Sequence, residues 1–317
     1  MTGRAARLQS AGGAVLPARA TALWRFTRPH TVIGTAASIA GLYVLCVDAL
    51  PGVRFADGIG DLAWTLLAGF CVNVYIVGVN QLEDVEIDRV NKPFLPLASG
   101  ELTIAAGRRI VAICGVLPIV LGLTQGAVET LAVLAGLAVG TAYSVPPLRL
   151  KRYPALASLS ITGVRSLVVN LGVALHFTQS LGDGGWSVPD PVWALTLFVV
   201  PFSFAIAILK DVPDAEGDRR FRIATFTLRL GAGRVLRIGL AALSVAYLGM
   251  ALAGPLLLDS VAPVVLAATH LTALALLWRM SAATDPLDPA SFTTFYMRVW
   301  KLFFLEYALV PLAAVLG

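Results

Sequence analysis

The stretch LAWTLLAGFCVNVYIVGVNQLEDVEID, Leu62–Asp88, decides how this chain is read: nineteen mostly apolar residues, then Glu83, Asp84, Glu86 and Asp88 within six. An apolar run of that length matches the hydrocarbon thickness of a bilayer, which a helix of about 20 residues crosses. The rest of the 317-residue chain has the same character. It is 57% hydrophobic and only 14% charged, with a mean hydropathy of +0.80, outside the range of soluble domains.

Laying a 20-residue ruler along the chain predicts an all-α polytopic membrane protein, a bundle of nine transmembrane helices. The spans are 31–49, 62–80, 108–125, 128–145, 155–177, 191–209, 235–256, 260–279 and 295–316. With the N-terminus cytoplasmic, of 24 basic residues only Arg54 falls in an outer loop and only Arg165 well inside a span. That asymmetry satisfies the positive-inside rule at every loop. The net charge of +5 therefore reports topology and needs no nucleic-acid partner. Residues 1–22 read as a cytoplasmic N-terminal arm without a signal peptide, and 23–317 as one transmembrane domain. No loop is long enough for a soluble domain. Cys46, Cys71 and Cys114 lie in spans without metal-ligand or redox spacing and read as packing residues.

The carboxylates need their own explanation. Asn80, Asp84 and Asp88 stand at i, i+4 and i+8, which places them on one face if the second span continues helically past the membrane surface. Pro93 and Pro96 then end the helix. A second cluster follows the sixth span in ILKDVPDAEGDRRF, Ile208–Phe221, where Asp211, Asp214 and Asp218 stand at i, i+3 and i+7. The Asp84/Asp88 pair recurs as Asp214/Asp218, 130 residues on, which hints at a duplicated unit with one acidic patch per half. Ordinary solvated loop charges would account for acids as such. They would not account for two one-faced sets beside anionic headgroups, where basic residues are the rule.

Facing carboxylates need cations, and all-oxygen ligands favour Mg²⁺, which commonly bridges carboxylate to phosphate. Arg28, Lys92, Lys151 and Arg152, from different cytoplasmic segments, are candidates to reach a diphosphate. Mg²⁺ and basic side chains beside a greasy cavity describe the ionisation of an isoprenyl diphosphate. Arg165, inside the fifth span, is a functional suspect by its position alone. His30 follows Arg28-Pro29 and is a candidate to hold an acceptor carboxylate. His176 and His270 read as packing histidines. Tyr75, Phe177 and Phe202 are candidates to shield a carbocation, although core packing is the better reading of each.

NQLEDVEIDRVNKPFLPLASG (80–100) and KDVPDAEGDRRF (210–221) resemble the two aspartate-rich motifs of the UbiA superfamily of intramembrane prenyltransferases. LWRFTRPHTVIGT (23–35), GTAYSVPPLRLKR (140–152), VRSLVVNLGVALHF (164–177) and FYMRVWKLFFLEYALVP (295–311) narrow the likeness to the homogentisate prenyltransferases. The resemblance runs from about residue 23 to the end. It implies that Asp84 and Asp88 bind one Mg²⁺ and Asp211, Asp214 and Asp218 a second, with Asn80 close by. It also maps Lys92, Tyr143, Lys151 and Arg28 onto diphosphate-side or acceptor-side positions. The expected reaction is Mg²⁺-dependent transfer of an isoprenyl group from a prenyl diphosphate to a phenolic acceptor, homogentisate first, with loss of CO₂. The expected setting is a bacterial plasma membrane with the site facing the cytoplasm. Glu83 departs from the pattern, because homologues more often carry an uncharged residue there, and it would add charge beside the metal. A terpene cyclase, or a prenyltransferase of 4-hydroxybenzoate or another phenolic acceptor, are the alternatives within the superfamily. A transporter is the alternative outside it, disfavoured because the ionisable groups gather at one rim rather than at the midplane.

Overall fold

The computed structural model describes residues 18–317, so residues 1–17 of the expected N-terminal arm, with Arg4 and Arg7, lie outside the described residues. The rest of that arm is helical. Helix α1, Ala18–Phe26, is followed by α2, Pro29–Ala49, then α3, Ile59–Glu83, and the short α4, Val85–Asn91. The chain continues through α5, Ile104–Gln125, α6, Ala127–Ser144, and α7, Pro154–Leu181. It ends with α8, Asp190–Leu209, α9, Ala215–Arg220, α10, Ala232–Leu252, α11, Pro263–Ala282, and α12, Pro289–Val315. No strand occurs among the described residues.

The helix starts follow local chemistry. Proline occupies the first turn of α2, α7 and α12, where its missing N–H costs nothing and its φ suits the helix. The Thr103 hydroxyl accepts from the Ala106 N–H at 3.1 Å to open α5, and Asp288 caps α12, satisfying donors that a helix start leaves free.

Eight of the described helices, α2, α3, α5, α6, α7, α8, α10 and α11, are long and apolar enough to cross a membrane. They coincide with the first eight expected spans. The segment expected as a ninth is the 27-residue α12, which carries Arg298, Lys301 and Glu306 and is not among the eight. Large apolar side chains face outward along the bundle, among them Ile113, Leu123, Leu131, Leu159, Leu197 and Val264. A soluble protein would bury such a surface; here it faces lipid. This is an integral membrane protein.

The main core gathers α2, α7, α8, α10, α11 and α12 around Phe198, Phe202, Tyr247, Trp300 and Phe303. A smaller one joins α1, α3 and α5 through Phe26, Cys71, Val74 and Cys114. All three cysteines are buried and free. Small residues set the helix spacing, as is usual where lipid removes the hydrophobic drive between helices. At Gly41 an added Cβ would sit 2.5 Å from the Tyr307 carbonyl oxygen, so any side chain there would push α2 off α12. Within the core, His270 Nε2 of α11 lies 2.6 Å from Glu306 Oε1 of α12, and both are fully buried. His176 is buried too, close to Phe177.

Candidate active site

The second span runs helically to Glu83, breaks for one residue at Asp84, and resumes as α4. The break does not turn the carboxylates away from one another. Asp84 N–H donates to the Asn80 carbonyl at 3.1 Å, Asp88 N–H to Asp84 at 2.7 Å and Lys92 N–H to Asp88 at 2.8 Å. Helical i+4 spacing is therefore preserved through the motif. After Lys92 the chain turns through Pro96–Ser99 and closes at Gly100, whose φ of 82° favours glycine. The second motif leaves α8 at Leu209 and re-enters helix at Ala215. Asn91 joins the two motifs by accepting from the Gly217 N–H at 2.8 Å. A Cβ at Gly217 would collide with the Asn91 amide, so glycine is what lets α4 and α9 come together.

Both motifs open onto a single cavity of about 610 Å³ between α2, α3, α6, α7 and α12. Twelve of the residues singled out from the sequence line it: Arg28, His30, Asn80, Asp84, Asp88, Lys92, Tyr143, Lys151, Arg165, Asp211, Asp214 and Asp218. At the acidic mouth, Asp84 accepts from Lys151 Nζ at 2.5 Å, Arg149 Nη2 at 3.1 Å and Asn80 Nδ2 at 3.0 Å. Lys92 pairs with Asp214. Arg28 donates to Asn80 Oδ1 at 3.2 Å and stands 4.0 Å from Asp88. Lys210 donates to the Tyr143 hydroxyl at 2.6 Å and lies 3.6 Å from Asp211. Arg28 and Arg149 both hold positive φ, 51° and 37°. That backbone conformation costs a non-glycine residue on the order of 1–2 kcal/mol, and two arginines adopt it beside the site's carboxylates.

Burial holds several of the mouth's carboxyls above their ordinary range. Burial raises Asp88 to about 6, opposed by Arg28 and Lys92 and reinforced by Asp84 and Asp214. Burial, with Asp211 and Asp214 alongside, raises Asp218 to about 7. Asp211 is raised too, again chiefly by burial. Asp88 is only 5% exposed, and its Oδ2 has no hydrogen-bond partner. No group of three or more metal-ligating side chains is assembled among the described residues. The orphaned Asp88 oxygen, facing the buried and raised carboxyls of Asp211 and Asp218 on the second motif, fits a hard divalent cation whose remaining ligands come from a phosphate.

Below the mouth the wall turns apolar. On α3 it runs Asn80, Val77, Ile76, Asn73, Val72, Gly69 and Thr65, and on α6 it runs from Tyr143 to Glu129. Fifteen residues separate Asn80 from Thr65, about 22 Å at 1.5 Å per residue. The floor carries two buried polar groups: Thr65, whose hydroxyl has no partner, and Glu129, 3% exposed. The fifth span is α-helical at both ends but π-helical over Val164–Leu171, and Arg165 projects from that segment with its guanidinium 4.5 Å from the Trp300 ring centroid.

Several expectations are corrected. Tyr75, Phe177 and Phe202 do not line the cavity. Phe177 and Phe202 are fully buried in the core, in keeping with the packing reading, and Tyr75 bonds Thr141 at 2.8 Å. The aromatic wall is His30, Phe94, Tyr143, Tyr296 and Trp300 instead. Glu83 is exposed outside the cavity and adds no charge to it, and Arg152 is likewise exposed and outside. Its place is taken by Arg149, whose signal was hidden among topology-setting charges. Lys210, Asn91 and Glu129 were also missed as site residues. Glu129 alone carried a usable signal, an acid two residues inside a membrane helix.

Residues 21–302 match the UbiA prenyltransferase family. The chain is 48% identical over 295 residues to the homogentisate phytyltransferase of Synechocystis sp., covering 92% of this chain and 95% of that protein. It is 38% identical over 296 residues to the chloroplastic homogentisate phytyltransferase 1 of Arabidopsis thaliana, covering 92% of this chain and 74% of that one. The fold superposes with a TM-score of 0.65 on a UbiA homolog from Archaeoglobus fulgidus bound to GPP and Mg²⁺, at 18% identity, covering 92% of this chain and 99% of that one.

Proposed function

Because the chain belongs to the UbiA prenyltransferase family and is a membrane-bound prenyltransferase, we propose that it transfers an isoprenyl group from a prenyl diphosphate to homogentisate with loss of CO₂. The observation that carries this reading is the single cavity joining two facing carboxylate motifs to an apolar tunnel. The acceptor rests on the likeness to homogentisate enzymes over nearly the whole chain.

Asp84 and Asp88 would hold one Mg²⁺ and Asp211, Asp214 and Asp218 a second, with Asn80 steadying Asp84. Bound there, Mg²⁺ neutralises charge that builds on the diphosphate as the allylic C–O bond weakens. Lys92, Lys151 and Arg28 line the same mouth and supply charge-assisted hydrogen bonds to the leaving group. Tyr143, Tyr296 and Trp300 present ring faces or edges beside it, where a developing allylic cation is stabilised without a nucleophile. The apolar walls keep water from capturing that cation before the phenol ring attacks. The distribution of basic residues supports a cytoplasmic N-terminus, α12 as a ninth span and the acidic mouth at the cytoplasmic face, and the Ala/Arg/Val-rich composition supports a bacterial plasma membrane.

The tunnel suits a twenty-carbon chain. Four isoprene units contribute four chain bonds each, and at roughly 1.1–1.2 Å of extended chain per bond they span about 18 Å, inside the 22 Å estimated above. Incubation with diphosphates of ten to forty-five carbons, and with homogentisate beside 4-hydroxybenzoate, tests this directly. Mass spectrometry is expected to find twenty-carbon addition to homogentisate less CO₂. Hydrocarbon or terpene alcohol formed from the diphosphate alone would assign a cyclase instead, and product from 4-hydroxybenzoate only would overturn the acceptor.

A further inference from the structure

Six cationic side chains line the cavity: Arg25, Arg28, Lys92, Lys151, Arg165 and Lys210. Five have a carboxylate partner, respectively Glu101, Asp88, Asp214 and Asp84 for the first four and Asp211 for Lys210. Arg165 has none among the described residues. Its guanidinium lies against the Trp300 and Phe303 rings, at 4.5 and 5.2 Å from their centroids, and its buried Nε has no hydrogen-bond partner. A charge held within a membrane span without a counter-ion is costly, and such residues persist where a ligand or pathway uses them. The aromatic faces offset part of that cost but accept no hydrogen bond along the guanidinium edge.

We infer that Arg165 receives the carboxylate of the aromatic acceptor, with the acceptor ring seated beside Trp300 and Tyr296. This rests on the reading of the protein as a prenyltransferase of a phenolic acid. Guanidinium and carboxylate match in a planar, two-bond geometry, so the fork fixes the ring's orientation as well as its charge. Arg165 lies eleven residues into α7 from Pro154, below the carboxylate mouth and above the tunnel floor. Anchoring the acid there sets the phenol ring between the leaving group and the prenyl tail. His30, which the sequence suggested for this task, and Arg28, which it offered for the diphosphate or acceptor side, are placed less well. Arg28 is committed to Asn80 and Asp88, and His30 packs edge-on against Trp300 at 5.0 Å, forming the neighbouring wall. The π-helical stretch that carries Arg165 is a recurrent mark of functional segments in helices.

The test compares wild type with Arg165→Gln and Arg165→Lys in lipid nanodiscs, using homogentisate and methylhydroquinone, which lacks the carboxylate. Arg165→Gln is expected to raise KM for homogentisate at least tenfold while leaving KM for the prenyl diphosphate unchanged. The preference for homogentisate over methylhydroquinone should fall by a similar factor, and Arg165→Lys should recover part of it. Thermal-shift titration with homogentisate gives a second readout, with stabilisation present in wild type and lost in Arg165→Gln. A raised KM for the prenyl diphosphate with homogentisate unaffected would move Arg165 to the diphosphate site and overturn the inference. Equal losses with both acceptors, at unchanged KM, would overturn it in favour of a packing role. Wild type that prenylates only the neutral acceptor overturns both this inference and the acceptor reading. An unchanged homogentisate KM in Arg165→Gln overturns this inference alone.

Discussion

Asp88→Ala and Asp214→Ala are each expected to lower turnover by about a thousandfold or more while the protein still inserts and folds. The expected loss follows from electrostatic catalysis. Removing one preorganised group from a developing charge costs about 10²–10³ in rate, and here the group removed would also be a metal ligand. Folding should survive because the bundle core and the Asn91–Gly217 link between the motifs involve neither side chain. Asp88 Oδ2 has no hydrogen-bond partner, and Asp214 answers only to Lys92 at the half-exposed mouth. Asn91 and Gly217, which do join the two motifs, are untouched by either change. Turnover by product mass spectrometry, beside thermal unfolding of each variant, checks both halves. Retention of more than a tenth of wild-type turnover in either variant would return these carboxylates to ordinary loop charges.

Chelation should be as severe. Turnover in excess EDTA is expected to fall to the background rate and to return on addition of Mg²⁺. The charges at the mouth explain why. Arg28, Arg149, Lys151, Lys92 and Lys210 face Asp88, Asp84, Asp214 and Asp211, while Asp218 has no ion-pair partner among the described residues and sits at about 7. Cations and carboxylates are therefore close to balance before any substrate arrives. A diphosphate adds several negative charges to that balanced site, and only a further cation offsets them at short range. Turnover that persists at full rate in EDTA would show that the lysines and arginines suffice.

Both acidic motifs could be read from the sequence because charge is rare in this chain and therefore conspicuous, and their spacing survived even the break at Asp84. The helices themselves were legible for a related reason: hydropathy over twenty residues does not depend on which way any one side chain points. Orientation within a wholly apolar helix was not legible. Tyr75 and Ile76 are neighbours in one greasy run, yet Ile76 faces the tunnel and Tyr75 faces Thr141. A weaker signal was available, since Thr65, Gly69, Asn73 and Asn80 form the small and polar stripe of that span, and all four line the cavity. Arg149 was hidden differently. It looked like one more charge placed to set topology, and only the backbone turn at φ 37° aims it at Asp84. Glu129 carried a fainter signal, an acid two residues inside a membrane helix, blurred because acids are ordinary at helix starts.

The pairing of Lys92 with Asp214 and of Lys151 with Asp84 has a consequence for how the two ligands of the mouth compete and cooperate. A divalent cation that takes Asp84 or Asp214 alone must displace a lysine from it, and a diphosphate binding alone must draw the same lysine away and leave the aspartate bare. Bound together, each takes the partner that the other releases, so lysine moves to phosphate as metal moves to carboxylate. The coupling is thermodynamically reciprocal: whatever factor the cation contributes to diphosphate affinity, the diphosphate returns to the cation. An affinity for either one is then a property of the pair, with meaning only at a stated concentration of the other.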